Sequence, residues 1–369
     1  MKNTLAFIAI SAILLSGLVY LPGVNMSAYS QEEDEPEETT GSPVSVTYVA
    51  VEKNITLPDG SNVQALTWNG TIPGPTVRVT QGDNVTVTIQ NPTNASLIHS
   101  LDSHASTISA VPAYGPINPG ENKTWSFIAT QPGVYKVHCE GNGVLTMDQH
   151  VFQGMVSAMI VDPANGYEGY STISGINGTE IEVAPEAKEV QFQFSEYYLD
   201  ENGAYNSKAM FEHNNTSAWI NGKPFGYDPV ITKTPNATTL NFKQGDHVRF
   251  FLLNHGDWPV NFHMVGESLD RIVDGSTVQG IGKQTYTVGG SNDAIVDIVF
   301  DLPGVYAFVN HDYAQLFKGQ AGLVVVDPVD SNSTSGGLNI TDTRNPSNAI
   351  PPQTGPNTIP VDTKPYELS

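Results

Sequence analysis

Only one cysteine occurs in the chain, Cys139, and it stands among metal-binding side chains. His138 precedes it, His150 and Met155 follow it, and His99 lies upstream. A thiolate, two imidazoles and a thioether are the donors of a blue-copper centre, in which two histidines and a cysteine lie roughly trigonal and methionine is a weak axial ligand. The order Cys, loop, His, four residues, Met lets one loop carry three donors to one end of a β-sandwich, with His99 closing the plane from another segment. The competing reading makes Cys139 a small buried hydrophobe and His150 a surface residue. The joint presence of His99 and Met155 favours the metal.

A second set of donors adjoins the first. Along a strand His138 must face away from Cys139, so one peptide can serve two metals on two sides. His104, five residues beyond His99, supplies a second imidazole for an all-histidine site, and His311 is the candidate for the third. His311 closes the run Pro303 to His311, which matches the strand leading to Cys139 but belongs to a stretch with no cysteine.

These donors need a rigid frame. Short alternating runs separated by turn signals, at 44–51, 76–80, 84–90, 124–128, 133–138 and 156–161, predict an all-β chain with only short helices. The pattern recurs after about 160 residues. Asn69-Gly70, Pro73, Gly82-Asp83 and Asn91 match Asn221-Gly222, Pro224, Gly245-Asp246 and Asn254. Pro132-Gly133-Val134-Tyr135 matches Pro303-Gly304-Val305-Tyr306, and Val161-Asp162-Pro163 matches Val326-Asp327-Pro328. Two tandem Greek-key β-sandwiches of cupredoxin-like form are therefore expected, at 44–164 and 188–328, with a linker region at 165–187. The repeated turn residues argue fold rather than function.

Residues 1–30 read as an export signal, with Lys2, an apolar run from Leu5 to Leu21, and Ala28 and Ser30 before a cleavage point; the run is also long enough to remain as an anchor. An acidic spacer at 31–43 and a Ser-, Asn- and Pro-rich tail at 329–369 should pack no core. Sequons such as Asn54, Asn69, Asn84, Asn122 and Asn236 fit an extracytoplasmic location. The formal charge of -22 opposes binding to nucleic acid, and a single cysteine excludes an intramolecular disulfide framework and all-cysteine metal clusters.

The 44–328 region resembles the two-domain copper-containing nitrite reductases, within the wider multicopper oxidase and cupredoxin group. The resemblance rests on Asn69-Gly70-Thr71-Ile72-Pro73-Gly74-Pro75, His99-Ser100-Leu101-Asp102-Ser103-His104, His138-Cys139, His150 to Met155, Phe262-His263-Met264-Val265-Gly266-Glu267 and Val309-Asn310-His311. It implies a type 1 copper on His99, Cys139, His150 and Met155, and a type 2 copper on His104, His138 and His311. His311 would reach the site of a neighbouring subunit in a homotrimer. It further implies that Asp102 and His263 are the catalytic acid–base residues, that Val265 is an aliphatic wall of the substrate pocket, and that nitrite is reduced by one electron to nitric oxide. A small cupredoxin or cytochrome would donate the electron. The ten residues between Cys139 and His150, with Glu140 and Asp148, depart from the family pattern and leave the colour and potential of the type 1 site open.

Two other functions compete. A laccase-like oxidase requires His-x-His pairs and a His-Cys-His; neither occurs, since Glu140 follows Cys139. An exported blue-copper electron carrier accounts for the first donor set but leaves His104, His138, His263 and His311 without a purpose. His213, His247 and His255 are assigned to surface or packing roles.

Overall fold

Residues 41–56, 60, 62–108, 114–143, 146–167, 173–174, 180–181 and 186–329 are described by a computed structural model. The expected export signal, most of the acidic spacer, much of the linker and nearly all of the tail lie outside them.

Eight strands build the first half: β1 (Pro43–Thr56), β2 (Asn62–Trp68), β3 (Val77–Thr80), β4 (Asn84–Gln90), β5 (Asp102–Ser103), β6 (Asn122–Ile128), β7 (Gly133–His138) and β8 (Val156–Asp162). They form two sheets, ordered β2-β1-β4-β6 and β3-β8-β7-β5. The small pair β9 (Ile173–Ser174) and β10 (Glu180–Ile181) follows. The second half holds β11 (Lys188–Tyr197), β12 (Ser217–Ile220), β13 (Leu240–Lys243), β14 (His247–Asn254), β15 (Val260–Val265), β16 (Leu269–Asp274), β17 (Thr277–Lys283), β18 (Thr285–Val288), β19 (Asp293–Val299), β20 (Gly304–Asn310) and β21 (Ala321–Asp327). Its sheets run β12-β11-β14-β19-β16-β17 and β13-β21-β20-β15-β18.

The two halves are one design used twice. The order β2-β1-β4-β6 reappears as β12-β11-β14-β19, and β3-β8-β7-β5 as β13-β21-β20-β15. Even the parallel pairs recur, β1 with β4 as β11 with β14, and β3 with β8 as β13 with β21. The matched sequence motifs explain why. Asn69-Gly70 and Asn221-Gly222 both turn through left-handed backbone, at φ 55° and 79° and at φ 51° and 79°, which asparagine and glycine tolerate. The Tyr135 hydroxyl donates to Gln131 O at 2.9 Å, and that of Tyr306 to Leu302 O at 2.7 Å, the same corner in both copies. In the first turn the Asn69 side chain bonds the Val49 N–H and Thr47 carbonyl, so this sequon amide serves the fold.

Each sandwich has its own core, one around Trp68, Val87, Phe127, Val137 and Met159, the other around Phe192, Phe250, Phe262, Phe300 and Phe308. A separate apolar seam joins them, where Val134, Ala158 and Ile160 pack on Phe251, Leu253 and Ile295. Strand β7 is therefore covered on both faces. Tyr135, Val137 and Cys139 look into the first core, while Val134 and Lys136 face the second sandwich.

The expected short helices are α1 (Met147–Phe152), α2 (Ser207–Phe211) and α3 (Tyr313–Lys318). His150, expected in an irregular loop, lies within α1. The reason is apolar spacing: Met147, Val151 and Phe152 make one face that packs on Tyr198, Tyr205 and Met210 of the second sandwich.

Candidate metal centres

Two imidazoles converge on the Cys139 thiol, and backbone bonds tie Met155 to the same segments. Cys139 lies one residue past β7, with its N–H bonded to Met155 O at 3.1 Å; His150 is carried by α1; and Met155 N–H returns to His150 O at 3.0 Å. His99 is held by paired backbone bonds with Ile117, at 3.2 and 2.7 Å. The thiol Sγ lies 3.6 Å from His99 Nδ1 and 3.3 Å from His150 Nδ1. His99, Cys139 and Met155 are wholly buried and His150 nearly so. Burial holds both imidazoles neutral, with pKa values lowered to about 4, and pushes the thiol up to about 12.

Two backbone amides aim at the sulfur. Ser100 N–H donates to Sγ at 3.4 Å and Gly141 N–H at 3.2 Å. Gly141 adopts φ 63°, and a β-carbon added there would lie 2.4 Å from Thr146 Oγ1 and 2.9 Å from His150 Cδ2 and Nε2. Sequence reading missed this glycine, because nothing in the Glu140-Gly141-Asn142 run distinguishes it from an ordinary turn.

The second group forms across the β5–β7 pairing, which sets Asp102 opposite His138. His104 follows β5, its N–H bonded to Lys136 O at 3.0 Å. The Nε2 atoms of His104 and His138 are 3.2 Å apart, and Asp102 Oδ2 lies 3.8 and 3.6 Å from them. Burial, reinforced by the neighbouring His138, lowers the His104 pKa to about 4. Partial burial pushes the Asp102 carboxyl up, but its bond and charge contacts with His138, helped by His104 and Lys136, bring it below the ordinary range.

Both groups fit a copper ion. In each, the ligand atoms of three side chains lie within 4.8 Å of one another. The donors of the first are a thiol and two neutral imidazoles in an apolar core, a set suited to a soft-to-borderline metal. In the second, two imidazole nitrogens face each other with a carboxylate beside them.

The second sandwich contributes a third group. His263 on β15 and His311 after β20 bring their ring centroids to 5.4 Å, and Val265 is exposed beside them on the same strand. His263 Nδ1–H donates to Gln284 O at 2.6 Å, which leaves Nε2 as its free nitrogen. Within one chain His311 is not among the groups gathered with His104 and His138.

A cavity of about 890 Å³ adjoins Asp102, His104 and His138. Two of its other walls were not foreseen. His255 lines it, although His255 also packs, with Nε2 on Gln193 Oε1 at 2.8 Å and Nδ1 buried without a partner among the described residues. Lys136, whose pKa burial lowers to about 8, donates from Nζ to His255 O at 3.1 Å and Ser291 Oγ at 2.8 Å. His213 and His247 pair with Asp257 and Asp297 at 2.6 and 2.9 Å, in keeping with structural roles.

This duplicated sandwich with a buried cysteine–histidine site at the end of a seam strand belongs to the multicopper oxidase class, and residues 50–166 match the multicopper oxidase family model. Copper is thus the metal that the two sites fit. The copper nitrite reductase of Nitrosomonas europaea superposes with a TM-score of 0.67 at 31% identity, over 77% of this chain and 94% of that one. The copper-containing nitrite reductase of Neisseria meningitidis serogroup B is 28% identical over 305 residues, 78% of this chain and 70% of its own. That of Alcaligenes faecalis is 28% identical over 296 residues, 74% and 73% of the two chains. The chain belongs to the copper-containing nitrite reductase family.

Proposed function

We propose that this protein reduces nitrite to nitric oxide by one electron: nitrite, one electron and two protons give nitric oxide and water. The carrying observation is that His138 and Cys139 are consecutive yet belong to different donor groups, which gives the electron a covalent path of one residue junction between them. His99, Cys139, His150 and Met155 would hold a type 1 copper, and His104 and His138, with His311 of an adjacent subunit of a homotrimer, a type 2 copper. Bound there, the second ion would supply a Lewis acid for nitrite oxygen.

The protein's own groups do the rest. Asp102, within 4 Å of both imidazoles, is placed to take up a proton and relay it to a substrate oxygen. His263, fixed through Nδ1, presents Nε2 to deliver the second proton, and its neighbour His311 puts both on the surface that a partner subunit would meet. Val265 would form the aliphatic wall that limits where the anion can sit. Lys136 and His255 supply the polar back of the cavity. Export by the segment at 1–30 would bring the protein to an extracytoplasmic donor of electrons.

The test is copper content per chain together with optical and electron paramagnetic resonance spectra of the reconstituted protein. Two coppers, one blue and one whose signal shifts when nitrite is added, are expected. A single blue copper with no nitrite response would replace this reading with that of an electron carrier.

A further inference from the structure

His99 carries an unanswered polar atom. Its Nδ1 faces the Cys139 sulfur at 3.6 Å, while its Nε2 is buried without a hydrogen-bond partner among the described residues. The polar atom facing Nε2 is Glu52 Oε1 at 3.9 Å, on β1. Glu52 is not loose there. Its Oε1 accepts from Ser96 N at 2.7 Å and Leu97 N at 3.0 Å, and its Oε2 accepts from Ser96 Oγ at 2.5 Å. Partial burial raises the Glu52 pKa, but these bonds outweigh it and keep the carboxyl below its usual range. One edge of the carboxylate remains open to a groove shared with Gln149 of α1 and Gln153 just past its end.

An imidazole that gives Nδ1 to a metal must carry its proton on Nε2, and a carboxylate facing that N–H fixes the tautomer and the ring plane and makes the ligand more basic. We propose that Glu52 is the positioning residue of the first copper site: it receives the His99 Nε2–H, holds Nδ1 toward the sulfur, and places a permanent negative charge behind that ligand. This rests on His99 being a copper ligand. The same carboxylate ties the 96–97 turn, so the segment that delivers His99 and the charge that tunes it are set by one side chain.

Glu52→Gln separates the charge from the shape. An amide can keep its oxygen toward Ser96 N and Leu97 N and offer its NH2 to Ser96 Oγ, so the turn survives while the charge is lost. Ser96→Ala does the reverse, removing one bond to the turn and leaving the charge. In the full-length protein, copper titration against a competing chelator should show about 10- to 100-fold weaker binding at the blue site for Glu52→Gln. Its reduction potential should rise, because a nearby anion favours the more highly charged cupric form. Ser96→Ala should leave both near the unsubstituted values. A Glu52→Gln protein equal to the unsubstituted one in affinity and potential would overturn the proposal, as would a Ser96→Ala protein shifted equally. Failure of the unsubstituted chain to form any blue centre would overturn the parent reading and this one with it.

Discussion

Gly141→Ala puts one methyl group into the wall of the first metal site. The native φ of 63° costs an L-residue about 1 kcal/mol or more. The new carbon would also lie 2.9 Å from two atoms of the His150 ring and 2.4 Å from Thr146 Oγ1, well inside ordinary contact. Neither neighbour yields easily: His150 is buried on a helix packed against the second sandwich, and Thr146 Oγ1 accepts from Asn142 N at 2.9 Å. Overpacking of this kind typically costs about 1–3 kcal/mol, so the sum is about 2–5 kcal/mol. Gly143→Ala is the internal control, since Gly143 has φ 89° but no atom of the described residues within 4 Å of an added carbon; it should show the backbone cost alone. The assay is a denaturation midpoint for both metal-free variants, with the blue absorption and copper hyperfine splitting of the loaded proteins. Gly141→Ala should lose more stability than Gly143→Ala and shift the spectrum, whereas Gly143→Ala should not shift it. Equal losses with unchanged spectra would refute the view that Gly141 exists to clear the His150 ring.

Other outcomes follow from the same geometry. His311→Ala should keep the blue absorbance, lower copper toward one per chain and abolish nitrite turnover, checked by metal analysis and a nitrite-consumption assay. Asp102→Asn should keep both coppers yet slow turnover by about 10²- to 10⁴-fold, the usual worth of a positioned acid or base. Copper uptake by the first site should release about one proton per chain at pH 7, all of it from Cys139. The thiol, raised to about 12, is protonated at that pH, while His99 and His150, lowered to about 4, have none to lose. Apparent affinity should therefore rise about tenfold per pH unit from about 5 to 8, as read by chelator competition; a flat profile would mean that the thiol is ionised in the metal-free protein.

Much of this arrangement could be read from residue order. The duplicated Asn-Gly turns and Pro-Gly-Val-Tyr corners give both sandwiches, because such residues act through local backbone geometry that sequence records directly. Strand alternation alone turns His138, the last residue of β7, and Cys139, just past it, to opposite sides. What depends on the meeting of distant segments was not legible. His255 reads as an ordinary surface or packing residue, and Lys136 carries no signal of its own, until β14 is laid against β7. Glu52 lies 47 positions from His99 and meets it only through the fold. The helical turn around His150 was hidden because its apolar face meets Val156 of the first sandwich but packs mainly on Tyr198, Tyr205 and Met210 of the second.

In the proposed reductase that helix would have a bearing on electron exchange. A redox centre that must take up and give away electrons quickly should change shape little between its two oxidation states. Here α1 is clamped from outside its own domain, by the Phe152–Tyr198 ring contact at 4.9 Å and by the Tyr205 hydroxyl on Asp148. The copy that holds no cysteine thus serves as a buttress for the copy that does. On the reading proposed above, a first sandwich cut free of its twin would keep His99, Cys139, His150 and Met155 but lose the packing that braces α1, which gives the duplication a physical reason to persist as one chain.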